Sequence, residues 1–207
     1  MHPSGGIVSE FFENLDNFLA AAKPAGKQLD RDSEKTLARY CYVLVLFEEV
    51  FRAGSWPASI LFRQQYESVE ELLRAIPSQS VDDIAQMSNI VYHRFEPHFG
   101  EPVTLNPTFE GSLDVSGADG DFFLNDCLID FKATIKPRMS PEWLRQLVGY
   151  VLLDYSDMHH LDSVGIFLVR QDVLFRWPLD EFIQTLCDEK SSLPLLRQEF
   201  RKVTQSA

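Results

Sequence analysis

The sequence predicts an α/β protein with an N-terminal α-helical extension, and two patterns carry this prediction. Residues 1–79 contain three segments whose apolar residues recur at helical spacing. Residues 80–207 alternate helical segments with short runs rich in β-branched and aromatic residues, as in proteins whose helices cover a sheet. We therefore expect the extension to pack on an α/β core that spans residues 80–207.

Composition limits the class of protein. The chain has 207 residues, of which 45% are hydrophobic and 24% are charged, and this is typical of a globular protein large enough to bury a core. The sequence contains no apolar run long enough to span a membrane and no cationic leader. We therefore expect a cytoplasmic protein with no membrane partner.

The extension is predicted to be helical. Apolar residues at intervals of three and four predict helices over residues 9–22 and 32–53, with a loop over residues 23–31 between them. Ser68 is a favourable N-cap for a third, shorter helix over residues 69–76.

The core is predicted to begin with a helix over residues 80–99 and a strand over residues 102–109. Further along the chain, residues 164–169 and 173–177 predict two strands of a hairpin. A short helix over residues 179–188 follows them. Between these two groups of elements lie the segments that carry the functional signal.

Residues 117–134 predict a β-hairpin with a two-residue turn. Asn125 and Asp126 tolerate the positive φ that a tight turn requires. If they form the turn, Leu124 pairs with Cys127, and the ladder continues outward from this pair. Four apolar residues then share one face of the hairpin and fix its register: Phe122, Leu124, Ile129 and Phe131.

The opposite face of this hairpin carries four polar residues. Asp121 lies opposite Asp130, and the next pair on the face is Asp119 with Lys132. Directly opposed residues have Cβ atoms roughly 4.5–5.5 Å apart, and like charges at that separation destabilise a sheet. A divalent cation such as Mg²⁺ or Mn²⁺ would relieve the repulsion. The alternative is a surface hairpin whose acids are solvated.

A helix is predicted shortly after the hairpin, with Ser140 as its N-cap and Pro141 as its first residue. Gln146 and Tyr150 are four residues apart, so they share one face of this helix. The alternative interpretation is an ordinary amphipathic helix with a half-buried tyrosine.

The hairpin and the helix together resemble the PD-(D/E)xK nuclease superfamily. Asp130-Phe131-Lys132 matches its (D/E)xK element, although no proline stands before the preceding acid, Asp121 or Asp119. Gln146 and Tyr150 resemble the QxxxY motif of the RecB-like branch. The resemblance implies a restriction-endonuclease-like core, with a central mixed β-sheet flanked by helices, and the activity of a metal-dependent nuclease that hydrolyses phosphodiester bonds.

The resemblance also implies a role for each residue of the site. Two carboxylates and one backbone carbonyl would hold Mg²⁺ or Mn²⁺, with two further acids as candidates: Asp121, Asp130, Phe131, Asp119 and Glu110. Lys132 would serve the attacking water, and Gln146 and Tyr150 would position the nucleic-acid strand. For Glu110 the alternative is a solvated carboxylate at the end of a strand.

The net charge of −12 limits the affinity for nucleic acid, because contacts of Lys and Arg with phosphates supply much of that affinity. A local basic surface remains available from Lys132, Lys136, Arg138 and Arg145. We expect that a protein partner or a second copy of the chain in a homo-oligomer contributes to substrate binding, or that the substrate is short or single-stranded. DNA is favoured over RNA, and bacterial phage defence or repair is the expected setting. The alternative function is a catalytically silent nuclease-fold subunit that binds nucleic acid or protein.

Overall fold

The computed structural model describes residues 5–22, 28–53, 60–63, 65–186 and 192–206. The chain divides into two compact units, residues 1–93 and 94–207. The boundary predicted at residue 80 lies near the beginning of a helix, whereas the two units divide close to the end of that helix. Val81, in the first turns of the helix, is buried in the apolar core of the first unit, which explains the difference. In the described ranges no helix is long and apolar enough to cross a lipid bilayer.

The first unit is helical, as predicted, over most of the residues that the structure describes. Its helices are α1 (Gly5–Ala22), α2 (Arg31–Ala53), α3 (Ile60–Arg63), α4 (Val69–Arg74) and most of α5 (Ser78–Phe95). Ser68 caps α4 as expected, since its hydroxyl accepts the N–H of Glu71. Phe11 of α1 is fully buried and contacts the rings of Tyr40 and Phe47 in α2. Residues 23–27 of the predicted loop lie outside the described residues.

The second unit is built on a five-stranded mixed sheet flanked by helices, which confirms the predicted α/β architecture. Its strands are β1 (Val103–Leu105), β2 (Phe122–Leu124), β3 (Cys127–Lys132), β4 (Ser163–Leu168) and β5 (Val173–Pro178), and they lie in sequence order across the sheet. Its helices are α6 (Pro141–Leu153), α7 (Leu179–Leu186) and α8 (Leu193–Thr204). Only β3 and β4 pair in parallel, because α6 provides the crossover between them.

Both faces of the sheet are covered, so the interior strand β4 is buried along its whole length. On one face Leu128 and Ile166 pack with Leu147 and Val151 of α6. On the other face the rings of Phe122, Phe131 and Phe167 surround Phe95, at centroid distances of 4.9–5.7 Å. Asp130 and Lys132 alternate with Leu128 along β3 and therefore lie on the face that α6 covers.

The strand before the hairpin, the helix before that strand and the C-terminal helix differ from the sequence-based expectation. The strand predicted over residues 102–109 is paired in the sheet only over Val103–Leu105, because Asn106 has a left-handed φ of 48° and turns the chain. The helix predicted over residues 80–99 begins at Ser78 and ends at Phe95, before a short 3₁₀ turn. Helix α8 was not predicted, although Ser192 and Pro194 provide an N-cap and an early proline.

Candidate active site

The hairpin forms in the predicted register. Leu124 pairs with Cys127, and the ladder continues through the pair of Phe122 with Ile129. The turn residue Asn125 has a positive φ of 54°. The polar residues Asp130 and Lys132 consequently project from the same face of β3, at the end of the strand that lies nearest α6 in the sequence.

Asp121 lies immediately beyond the paired part of β2 and contacts β3 through its side chain. Its Oδ2 accepts a hydrogen bond from the backbone N–H of Phe131 at 2.6 Å. If the backbone ladder continued, the next hydrogen-bonded partner of Phe131 would be Gly120. The N–H of Gly120 instead donates to the carbonyl of Pro107 at 2.8 Å. The carbonyl of Phe131 therefore lacks this ladder donor and points toward Asp121, because both backbone groups of a strand residue face the same neighbour.

The predicted pairing of Asp119 with Lys132 is wrong. Asp119 forms an isolated antiparallel bridge with Thr108 instead, and Lys132 pairs with Leu168 of β4. The cause is the departure of the chain from β3 at Gly120. Asp119 still lies close enough to the site for its charge to act on Tyr150, as described below.

Asp130 is the most unusual polar residue of the site. Its side chain is only 1% exposed, and its Oδ1 is buried without a hydrogen-bond donor among the described residues. The Nζ of Lys132 lies 2.5 Å from Oδ2 and forms an ion pair with it. Burial raises the pKa of Asp130, the ammonium of Lys132 lowers it, and the charge of Asp121 raises it again. Asp121 and Asp130 are thus neighbouring carboxylates, as the sequence predicted.

A series of hydrogen-bonded side chains connects Asp130 to helix α6. The Nζ of Lys132 donates to Oε1 of Gln146 at 2.7 Å. The Nε2 of Gln146 donates in turn to the hydroxyl of Tyr150 at 2.6 Å. These two contacts place the predicted helical pair on the face of α6 that looks toward Lys132, and they hold the ammonium in one position.

Tyr150 is the buried end of this chain. Its ring stacks on Phe109, with centroids 5.3 Å apart and planes 15° apart. Burial raises the pKa of the Tyr150 phenol, and Gln146 lowers it. The charges of three acids raise the pKa of Tyr150 further, which shows that all three lie around it: Asp130, Asp121 and Asp119.

Glu110 has a partner other than the predicted metal ligands. Its Oε1 forms an ion pair with Arg201 of α8 at 3.3 Å. Within the described part of the chain, no group of three or more His, Cys, Asp or Glu side chains is arranged to hold a metal ion. Asp121, Asp130 and the carbonyl of Phe131 nevertheless fit the donor set of Mg²⁺, which usually binds one or two carboxylates and retains several waters. The buried Oδ1 of Asp130, which has no donor among the described residues, and the neighbouring charge of Asp121 support this fit.

Two supporting residues were not predicted. Phe109 is the ring on which Tyr150 stacks, and nothing local in the sequence distinguishes it from other core aromatics. Arg197 of α8 is 3% exposed and bonds to the carbonyl of Val151 and to Asp157 at the end of α6. Arg197 lies four residues after Leu193 and three before Phe200, on their helical face, and a charged residue among these apolar ones was the available signal for the buried contact.

Comparisons with known proteins add no identity to this geometry. No protein-family model matches the chain, and neither a curated protein nor a solved structure matches it.

Proposed function

We propose that the chain is a metal-dependent nuclease of the PD-(D/E)xK type, which hydrolyses phosphodiester bonds at the end of β3. The observation that carries the proposal is the buried Asp130: its Oδ1 has no hydrogen-bond donor among the described residues, its Oδ2 is paired with the Lys132 ammonium at 2.5 Å, and a second carboxylate, Asp121, lies beside it. One ammonium does not balance two neighbouring carboxylates, and a divalent cation would compensate the remaining charge. The five-stranded mixed sheet with a crossover helix after β3 is compatible with a restriction-endonuclease-like core of the RecB-like branch.

The roles of the residues follow from their contacts. Asp121, Asp130 and the carbonyl of Phe131 would hold Mg²⁺ or Mn²⁺, with Asp119 near enough to support them. The bound ion would supply charge neutralisation at the phosphoryl oxygens and a water with a lowered pKa. Lys132, held by Gln146, would hydrogen-bond the attacking water or the phosphoryl group.

The proposal extends to the setting of the reaction. DNA is favoured over RNA as substrate, the place of action is the cytoplasm, and phage defence or repair is the expected role. The net charge of −12 supports a protein partner or a second copy of the chain that contributes to substrate binding.

A second candidate is a catalytically silent subunit on the same fold. One observation favours it: the Lys132 ammonium lies 2.5 Å from Asp130, so that the carboxylate is neutralised by a side chain of the protein itself. In such a subunit the ion pair would be permanent, and divalent ions would not displace it.

Cleavage of labelled single-stranded DNA, duplex DNA and RNA separates the two candidates. We expect hydrolysis by the wild type with Mg²⁺ or Mn²⁺, none with EDTA, and none by Asp130→Asn under any condition. Thermal unfolding with and without millimolar Mn²⁺ provides the second readout, since only a protein that binds the ion is stabilised by it. An uncleaved set of substrates together with an unshifted unfolding temperature would support the silent subunit.

A further inference from the structure

We propose that residues 133–140, the β3–α6 loop, form a binding surface for single-stranded nucleic acid beside the site. The choice of nucleic acid as the ligand rests on the proposed function. The loop begins directly after Lys132 and ends at Ser140, the N-cap of α6. A ligand bound at Lys132 therefore lies beside the first residues of this loop.

The loop is the basic exception in an acidic chain. The whole sequence has 31 acidic and 19 basic residues, yet residues 131–141 contain three basic residues and no acid. Lys136 and Arg138 are exposed, and within the described ranges neither side chain pairs with a carboxylate. Free cations of this kind are the groups that bind phosphates and give nucleic-acid binding its dependence on salt.

Hydrogen bonds hold the loop in a defined shape. Arg170 donates to the carbonyl of Ala133, and Gln171 donates to the carbonyl of Thr134, both at 3.2 Å. The hydroxyl of Thr134 accepts the N–H of Lys136 and donates to its carbonyl. The end of β3 and the beginning of α6 hold the first and last residues of the loop in place. A surface that is ordered before binding loses less entropy when a ligand is bound.

Ile135 projects from the middle of this ordered segment and is 80% exposed. A large apolar side chain so exposed, next to two free cations, has no role in the core of its own unit. It lies three residues after Lys132, within about 11 Å along the chain, which corresponds to about three steps of one strand in B-DNA. It is therefore placed to contact bases that flank the phosphate bound at the site.

A single strand fits this combination better than a duplex. Proteins that bind single strands place cations along one backbone and apolar or aromatic groups against the exposed base faces. In a duplex the base faces are stacked, so that Ile135 could contact them only after unstacking a step. Two free cations in the loop are also few for a duplex, which carries a phosphate row on each strand.

Binding measurements on the full-length chain test this inference. Fluorescence anisotropy would compare a labelled single strand of DNA, the RNA of the same sequence and the corresponding duplex, at several NaCl concentrations with EDTA. All proteins would carry Asp130→Asn, which prevents cleavage. The loop variants are Lys136→Gln with Arg138→Gln, and Ile135→Ala. The matched controls are Lys202→Gln with Arg74→Gln, and Val203→Ala, which change exposed residues in α4 and α8.

We expect the double loop variant to weaken single-strand binding at least tenfold and to reduce the salt slope by about 1.4, at about 0.7 for each lost phosphate contact. Ile135→Ala is expected to weaken it about threefold without changing the slope, because the side chain is uncharged. The controls should remain within about twofold of the parent. If the loop variants behave like the controls, if the duplex binds more tightly, or if the parent binds no oligonucleotide, the inference is wrong. Cleavage by the wild type is measured separately. If the wild type cleaves but the loop variants bind like the controls, this inference is wrong and the proposed function stands. If binding depends on the loop but the wild type does not cleave, this inference stands and the proposed function is wrong.

Discussion

At the scale of single residues, the proposed chemistry depends on Asp130 and on the groups that face it. The carboxylate is buried, its Oδ1 has no donor among the described residues, and the Lys132 ammonium pairs with its Oδ2 beside a second acid, Asp121. Such an arrangement lowers the stability of the folded protein whenever the carboxylate is charged. This cost provides a direct way to test the description of the site without measuring activity.

The variant Asp130→Asn is expected to be more stable than the wild type at pH 7 in the absence of metal. The neutral amide avoids the buried charge, and a gain of about 1 kcal/mol would raise the unfolding temperature by about 2–4 °C in a protein of this size. Lys132 retains its hydrogen bond to Gln146 in the variant. Differential scanning calorimetry at pH 7 measures the difference.

The pH dependence of this difference has a definite sign. The pKa of Asp130 is raised in the folded protein, so protonation of this group favours folding. Its stabilising contribution is complete below the ordinary value of 3.8 and is lost as the pH rises through the raised pKa. The advantage of Asp130→Asn should therefore disappear as the pH falls toward 3.8. Asp162→Asn, which changes an exposed acid, is the control. A variant less stable than the wild type at pH 7 would contradict the account.

Tyr150→Phe tests the hydrogen-bonded chain that holds Lys132. The ring can remain stacked on Phe109, but the acceptor for Gln146 is lost, so Gln146 no longer fixes the ammonium. We expect the hydrolysis rate to fall about tenfold, equivalent to about 1.4 kcal/mol and close to the worth of one hydrogen bond. The matched control is Tyr155→Phe, whose hydroxyl bonds to Asp114 and Thr204. Equal hydrolysis rates for the two variants would show that the hydrogen bonds from Lys132 through Gln146 to Tyr150 have no positioning role.

At the scale of secondary-structure elements, the site is the meeting point of a hairpin and a helix. The register of β2 and β3 and the helical face of Gln146 and Tyr150 were predicted correctly, because both follow from short periods of two and 3.6 residues. The place where β2 leaves β3 was not predicted. It is set by the hydrogen bond from Gly120 to Pro107, a contact between segments that local patterns do not relate.

The same limit explains the other residues that sequence reasoning missed. Phe109 supports Tyr150 and Arg197 supports the end of α6 through contacts made across 41 and 46 residues of chain. Asp119 was assigned to the correct region but to the wrong partner, since its bridge to Thr108 follows from the same departure at Gly120. Glu110 was a further candidate ligand, and its carboxylate forms an ion pair with Arg201 that local patterns did not predict.

The beginning of α6 provides a prediction at this scale. The hydroxyl of Ser140 accepts the N–H of Glu142 and thereby caps the helix that carries Gln146 and Tyr150. Ser140→Ala is expected to lower the free energy of unfolding by about 1 kcal/mol, the usual value of an N-cap. Ser140→Asn, which retains a capping oxygen, should preserve most of the stability. Urea denaturation measures both variants, and an Asn variant as unstable as the Ala variant would rule out the cap as the cause.

At the scale of the whole molecule, an acidic chain carries the proposed nuclease site, whose substrate would be a polyanion. The net charge is −12, and the local exception is the segment from Lys132 to Ser140. The charge of the whole protein therefore opposes binding while the loop beside the site favours it. Substrate affinity is expected to depend on that loop, on bound divalent ions and on any partner, rather than on a general basic surface.

The most direct test of the account is the rate of phosphodiester hydrolysis by Lys132→Ala. A single-stranded oligonucleotide would be incubated with Mg²⁺ and the wild type, Lys132→Ala, or the control Lys202→Ala, which removes an exposed cation from α8. We predict cleavage by the wild type and the control, and a loss of at least about 100-fold for Lys132→Ala, because its ammonium acts on the reacting groups. Cleavage by Lys132→Ala at the rate of the wild type, or no cleavage by the wild type, would contradict the assignment of this cluster as a nuclease active site.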